Sequence, residues 1–135
     1  GIVVGGGAAL AEVYGILKDT LSDKNPDIQK GIDSVMDSLY EPLRQIADNA
    51  GYDANGVAEK QKLQKAEFGF NAEDGTWVNM FSEGIVDPTK VTRTAVLNAS
   101  SIAALFVTSE AAVSEIKEDK PAANPAMGGG MDGMY

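Results

Sequence analysis

The chain has 135 residues, of which 44% are apolar, and 11 basic against 20 acidic residues give it a net charge of −9. This size suffices for one modest core, and the negative charge disfavours a nucleic-acid partner because it repels phosphate backbones. The absence of Cys and His excludes disulfides, a thiol nucleophile, the usual zinc ligands and a Ser/His/Asp triad.

No apolar run approaches the roughly 20 residues that cross a bilayer, so we expect no contact with a membrane. The first residues lack the basic segment of a signal peptide. A chain without cysteine is compatible with a cytoplasmic location, which is our prediction. The chain begins inside an apolar stretch and without methionine, and we therefore interpret it as a piece of a longer protein.

Three consecutive glycines, Gly5–Gly7, lead directly into the first predicted helix. Its apolar residues recur at spacings of three and four: Leu10, Val13, Leu17 and Leu21. Glycines before a helix N-terminus leave amide donors open to an anion at the positive end of the helix dipole. From the sequence alone we favour a tight strand-to-helix connection, because the triplet has neither dinucleotide-fingerprint spacing nor a P-loop lysine.

The second predicted helix begins at Asn25 and Pro26, since the amide can cap the helix and proline suits its first position. Apolar residues at helical spacing continue to Ile46, and Gly51 can end the helix in a left-handed conformation. Pro42 lies inside this run and predicts a bend, because it lacks a backbone donor.

The polar stretch 53–66 predicts an exposed, weakly held helix after Gly56. Aromatic and β-branched residues at 67–71 and 76–78 flank an Ala-Glu-Asp-Gly turn and predict a hairpin, with Trp77 packed against the helices. Residues 79–82 predict one helical turn.

Asp87 and Pro88 are typical of a helix start and open the last predicted helix, whose apolar and small residues predict deep burial. The Asp87 carboxylate either caps this helix or faces a cleft and binds a ribose hydroxyl pair. Residues 110–117 predict a short terminal strand without an obvious partner. The Gly/Met-rich segment 121–135 is predicted to be disordered.

The turn of the hairpin offers a second candidate contact for a ligand. Asn71 and Ala72 can donate and accept at an adenine edge, although Asn in a turn ordinarily bonds its own backbone. Glu73 and Asp74 lack a second acidic pair at metal-ligand spacing, so we expect solvated turn charges and no metal site.

Five blocks follow one another along this sequence: GIVVGGGAAL, EPLRQIADNAG, FGFNA, GIVDPTKVTR and the Gly/Met tail. In order and in register, these blocks resemble the group I chaperonins of the GroEL family. The resemblance implies a mainly α fold, a helical fragment of the equatorial domain with a small β-hairpin and a short C-terminal strand. It implies that residues 1–120 form the C-terminal half of this ATPase domain and that residues 121–135 form a flexible tail.

The resemblance also implies the residues that border a nucleotide. Gly6 would approach it through its backbone, Asp87 would bind the ribose, and Ile46 would pack near the base. The adenine would be bordered by Asn71, Ala72 and Glu73. Glu73 departs from the small residue that often follows this Asn-Ala pair, so only its backbone is expected to serve.

The resemblance further implies an ATP-driven chamber that folds proteins. Its cofactors would be ATP and ADP, with Mg²⁺ and K⁺ bound mainly by residues outside this chain. Its partners would be copies of itself in stacked seven-membered rings, the co-chaperonin GroES and unfolded proteins. Arg44 and Asp53 would contact the opposite ring, although both equally suit local roles, as a solvated helix-end charge and a helix cap.

This chain contains no catalytic residue of that activity, because the family's phosphate loop and catalytic aspartate are absent from it. We therefore expect the chain alone not to hydrolyse ATP. Two other functions stay open. The chain can be a non-enzymatic helical module that exposes apolar surface to a partner, or a stand-alone anion-binding domain that uses the glycine loop.

Overall fold

The computed structural model describes residues 1–116, and the predicted tail at 121–135 lies outside them. The described part is mainly helical, as predicted. Its elements, in order, are β1 (Ile2–Val4), α1 (Ala8–Leu17), α2 (Pro26–Ser38), α3 (Glu41–Asn49), α4 (Ala54–Gln61), β2 (Phe68–Asn71), β3 (Thr76–Asn79), β4 (Val86–Pro88) and α5 (Thr89–Val107).

The first strand pairs with the last one, across most of the described sequence. β1 and β4 are antiparallel, with Val3 opposite Asp87 and Val4 opposite Val86. The pairing continues into the glycine triplet, where the Gly5 amide donates to the Ile85 carbonyl at 2.9 Å. This two-stranded sheet therefore places Asp87 beside the strand that leads into the triplet.

The predicted second helix is two helices, α2 and α3, separated at Leu39 and Tyr40. Its start is confirmed, because the Asn25 side chain accepts from the Asp27 amide at 2.9 Å. Pro42 lies in the first turn of α3. An unbroken helix would need a Pro42 amide to bond the carbonyl four residues earlier, and proline has none, so the chain begins a new helix instead.

The helix predicted to be exposed and weakly held is packed into the core, so this prediction is wrong. Val57, Ala58 and Gln61 of α4 are buried, and α4 lies against α3. The Asp53 side chain caps the helix by accepting from the Asn55 amide at 3.2 Å. Few apolar residues suffice here because one small face contacts the buried cluster while the charged face remains in water.

The predicted hairpin is confirmed, with Phe70 opposite Trp77 in the antiparallel pair of β2 and β3. Trp77 packs against the main buried cluster, as predicted, and its ring centroid lies 5.6 Å from that of Phe70. Residues 79–82 do not form the predicted helical turn: Asn79 ends β3, and hydrogen-bonded turns follow up to Gly84.

The main core lies where α1, α3, α4 and the hairpin meet. Its fully or nearly buried members are Ala11, Tyr40, Leu43, Ala47, Val57, Ala58 and Phe70. A smaller cluster consists of Val4 of β1, Ala8 of α1 and Met80. The glycine triplet connects the two clusters, because it runs from Val4 to Ala8 and touches Leu43.

The last helix is not buried, and our prediction of deep burial is wrong. None of the residues of α5 is buried, and large apolar side chains such as Leu105 and Phe106 are 66% and 67% exposed. Within residues 1–116 no element covers its length, so its apolar pattern forms a surface that the other described residues do not bury. None of the described helices is both long enough and apolar enough to span a membrane.

The predicted strand at 110–117 is likewise not formed over its described part, residues 110–116. A strand needs a partner for its backbone groups, and no described segment lies beside it. Val113 and Ile116 are almost fully exposed.

Replacing Gly7 by Ala should destabilise the fold by about 2–5 kcal/mol, the sum of left-handed strain and overpacking. Gly7 has φ of 78°, and a Cβ there would lie 2.6 Å from the Leu43 backbone nitrogen. Thermal unfolding of the purified protein measures the effect. The matched control is Gly15→Ala in α1, where no atom lies within 4 Å of the added carbon. This control should gain about 0.5–1 kcal/mol, and equal stability of the two variants would contradict the packing assigned to Gly7.

Candidate functional site

The glycine triplet forms a tight connection between β1 and α1. Gly6 and Gly7 have φ of 62° and 78°, and Gly7 occupies the N-cap position of α1. Within the described residues the Gly6 and Gly7 amides donate no hydrogen bond, whereas the Gly5 amide bonds Ile85. Two amide donors thus stay free beside the positive end of a helix.

Packing explains two of the three glycines. A Cβ on Gly5 would lie 3.1 Å from the Ile85 backbone, and one on Gly7 would collide with Leu43. A Cβ on Gly6 would meet mainly the end of the Met80 side chain, at 3.0 Å, with the Phe70 carbonyl oxygen at 3.6 Å. The tight connection predicted from the sequence is therefore present, and it leaves Gly6 as the member least occupied by backbone contacts.

Asp87 does not cap the last helix, so the capping interpretation of this residue is wrong. It belongs to β4, and the N-cap of α5 is Pro88, without a capping side-chain bond. The Asp87 residue is half-buried, and its carboxylate has no hydrogen bond or ion pair within residues 1–116. A partly buried carboxylate normally gains such a partner, so this group is available to a ligand or to another segment.

The hairpin turn satisfies its own backbone, as Asn in a turn ordinarily does. The Asn71 side chain accepts from the Glu73 amide at 3.0 Å, and the Asn71 carbonyl accepts from the Gly75 amide at 2.9 Å. Ala72 is half-buried against the main core, whereas Glu73 is exposed. The two acids of the turn belong to no metal-binding cluster, since none exists among the described residues.

Ile46 lies on α3 next to the buried Ala47, and it is half-buried. The hairpin turn is held near the end of this helix, because the Gly75 backbone lies against the Tyr52 ring, which would come within 2.8 Å of an added Cβ. The turn and the C-terminal part of α3 therefore belong to one packed unit.

The structure thus brings the predicted residues to four connected segments: the glycine loop, the hairpin turn, β4 and α3. Gly6 is followed by α1 and faces the Phe70 carbonyl of β2, one residue before the turn that starts at Asn71. Asp87 joins through the β1–β4 pairing and Ile46 through α3. Two surface cavities of about 330 and 350 Å³ lie elsewhere and include none of the six predicted residues in their lining.

Arg44 and Asp53 each have a partner within the chain. Arg44 forms an ion pair with Glu41, and its guanidinium lies 5.9 Å from the centre of the Tyr40 ring. Burial raises the pKa of the Tyr40 phenol, which the nearby ammonium of Lys62 opposes. Asp53 is the cap of α4. The contact to an opposite ring stays a prediction for both residues.

Sequence reasoning missed two residues that connect these elements. The carboxylate of Glu12 on α1 accepts from the backbone amide of Glu67, 55 positions later, at 2.6 Å. Glu67 precedes β2 and has φ of 69°, the one positive value outside glycine in the described part. No local pattern predicts a bond of such separation, and a left-handed Glu has no sequence signature.

A sequence model of the TCP-1/cpn60 chaperonin family matches residues 1–117. This chain belongs to the TCP-1/cpn60 chaperonin family. It is 58% identical over 118 residues to the chaperonin GroEL of Acholeplasma laidlawii (strain PG-8A), and 58% identical over 120 residues to that of Onion yellows phytoplasma (strain OY-M). These alignments cover 87% and 89% of the chain but only 22% of each relative. The predicted group I family is therefore confirmed.

Solved chaperonin structures have the same fold. The open-state monomer of a group II chaperonin from Methanococcoides burtonii matches with a TM-score of 0.72 at 22% identity, over 80% of this chain and 28% of that one. A group III chaperonin in the open state matches with a TM-score of 0.71 at 27% identity, over 84% of this chain and 24% of that one. The described fold is thus that of one part of a chaperonin subunit.

Replacing Thr76 by Val should raise the pKa of Asp74 towards its ordinary value. The Thr76 hydroxyl donates to the Asp74 carboxylate at 2.7 Å, and this bond, with that of the Thr76 amide, lowers the pKa of the exposed Asp74. Because the pKa of Asp74 is lower in the folded state, its hydrogen bonds stabilise the folded turn at pH values above the ordinary pKa of Asp. This stabilisation is lost as the pH falls through the lowered pKa. An NMR titration of the Asp74 carboxyl measures the shift. Thr94→Val on exposed α5 is the control, and an unchanged Asp74 titration in Thr76→Val would refute the assignment.

Proposed function

We propose that the intact protein is an ATP-dependent chaperonin that encloses unfolded proteins, and that this chain forms one wall of its ATP site. The observation that carries the proposal is the β1–β4 pairing, which joins the glycine triplet to the strand of the half-buried Asp87. Within residues 1–116 the Gly6 and Gly7 amides and the Asp87 carboxylate have no hydrogen-bond partner. Membership of the family and 58% identity to GroEL proteins support it.

Each proposed contact follows from the local chemistry. Backbone amides at the start of α1 suit a phosphate, because they are donors at the positive end of a helix dipole. The Asp87 carboxylate suits a pair of ribose hydroxyls, which are donors. The adenine would contact the half-buried Ile46, which is apolar. Its edge would form hydrogen bonds with the backbone of Asn71, Ala72 and Glu73.

The remaining requirements of the reaction fall to residues beyond this chain. Phosphoryl transfer from ATP needs Mg²⁺, stabilisation of charge and a positioned water, and residues 1–116 contain no metal-binding cluster. We therefore propose that Mg²⁺ and K⁺ are bound mainly elsewhere in the intact protein and that this chain alone is inactive. The proposed wall would orient the nucleoside, which fixes where the terminal phosphate lies.

We also infer that α5 is covered in the assembled protein. Its exposed apolar side chains, together with Val113 and Ile116, form an apolar surface whose exposure to water is unfavourable. A chaperonin subunit provides the missing cover, because the chain spans only 22% of the length of its GroEL relatives. Stacked seven-membered rings with Arg44 and Asp53 at their junction, GroES as a partner and a cytoplasmic location complete the proposal.

In the full-length protein, Asp87→Ala should weaken ATP binding about tenfold or more, since a hydrogen bond to a charged group is worth roughly 1.5–3 kcal/mol. Isothermal titration with ATP and Mg²⁺ measures the loss. The matched control is Asp37→Ala, an exposed Asp on α2 that should bind ATP normally. ATP affinity that stays the same in Asp87→Ala would remove the site assignment.

A second candidate function, a non-enzymatic interaction module, is favoured by the same exposed face of α5. If the 135-residue chain acts through that face, it should self-associate at micromolar concentration, and replacing Leu105 and Phe106 by Ser should reduce the association at least severalfold. Sedimentation velocity measures the change. Leu63→Ser, which removes an isolated side chain that is 84% exposed, is the control. A monomeric chain with cooperative melting would contradict this second function.

A further inference from the structure

α1 and β2 both contribute to the main core, through Ala11 and Phe70, and they meet at two further points near the start of β2. The first is steric: a Cβ added to Gly69 would lie 3.0 Å from the Ala8 Cβ, so the strand touches the first turn of the helix. The second is the hydrogen bond from the Glu67 amide to the Glu12 carboxylate at 2.6 Å. Ala8 and Glu12 are one helical turn apart and lie on the same side of α1. The hydrogen bond therefore fastens the residue that precedes β2 to α1, in addition to the core packing.

The second contact point is held in a conformation that depends on its partners. Glu67 has φ of 69°, which L-residues adopt at a cost unless their surroundings hold them there. Its carbonyl accepts from the Met80 amide at 2.9 Å, and its carboxylate accepts from the Asn79 side chain at 3.2 Å. Of the three residues that bond Glu67, Met80 and Asn79 belong to the hairpin and the turn after it, whereas Glu12 lies on α1.

The two elements joined in this way carry opposite ends of the proposed nucleotide site. α1 begins at Ala8, two residues after Gly6, on the phosphate side, and β2 ends at Asn71, on the adenine side. We propose that Glu12 is a positioning residue for the nucleotide: its carboxylate holds the residue before β2 against α1 and thereby helps to place the adenine turn relative to the glycine loop. This inference rests on the proposed function.

Loss of the Glu12 bond should affect the base more than the phosphates. The glycine loop is held independently of Glu12, through the Gly5 bond to Ile85 and the packing of Gly7 on Leu43. Without the bond the residue before β2 could shift away from α1, so the hairpin that carries Asn71 would be held less firmly against a base while the loop kept its place.

The test uses four variants of the full-length protein and three probes. In Glu12→Ala, affinity for ATP should fall roughly 3- to 10-fold, the size of one typical hydrogen bond, and the preference for ATP over GTP should shrink. Affinity for inorganic tripolyphosphate should stay unchanged. Glu12→Gln should bind ATP normally, because its amide oxygen still accepts from the Glu67 amide. Glu59→Ala, which removes an exposed carboxylate bonded to Lys62, is the control.

The fourth variant tests the backbone strain directly. Adding Glu67→Gly to Glu12→Ala should restore part of the ATP affinity, because glycine adopts the left-handed conformation without help. Three results would each overturn the inference: no change of ATP affinity in Glu12→Ala, an equal loss for tripolyphosphate, or an equal loss in Glu12→Gln. A melting temperature that falls without a change in the ATP to GTP ratio would show that the bond only stabilises the fold.

The outcome is distinguishable from failure of the proposed function. If Asp87→Ala weakens ATP binding and Glu12→Ala does not, only the positioning role of Glu12 is wrong. If neither variant changes ATP binding, the site itself is misplaced.

Discussion

The close approach of the glycine triplet to its neighbours is the constraint on which the rest of the structure depends. Gly7 has no room for a side chain against the Leu43 backbone, and a Cβ on Gly5 would lie only 3.1 Å from the Ile85 backbone. These two contacts bring α3 and β4 to the same short loop, although α3 and β4 are distant in sequence. Because the contacts are between backbones, they tolerate little adjustment, and the elements that meet there keep a defined geometry.

One consequence is that structural and functional roles of the triplet are compatible. The glycines are needed for the connection between β1 and α1, and the same conformation leaves the Gly6 and Gly7 amides without partners in the described residues. The hairpin behaves similarly. Asn71 closes its own turn, yet this bond fixes the turn backbone where it faces the end of α3. In both the glycine loop and the hairpin turn, local contacts fix the backbone whose groups the proposed site would use.

A second consequence concerns the surface. The charge of −9 lies on a chain whose last helix exposes large apolar side chains along its length. Charge keeps such a chain dispersed, whereas the apolar face favours contact with another surface. Both properties are understood if this chain is one part of a larger chaperonin subunit, in which α5 contributes to a core that residues 1–116 do not complete.

The sequence by itself determined the features that depend on neighbours along the chain. Helix starts at Asn25 and the hairpin around residues 72–75 follow from local capping and turn chemistry, and the family followed from five blocks in register. Pro42 indicated a disturbance, but it did not reveal that two separate helices result.

Only the tertiary structure decided which patterned faces are covered and which distant residues meet. The apolar pattern of α5 predicted burial, but a pattern states that a face needs a partner and does not say where that partner lies. The packing of α4, the pairing of Val3 with Asp87 and the bond between Glu12 and Glu67 join residues far apart in sequence. Such contacts arise when the backbone brings two elements together, so no local propensity encodes them.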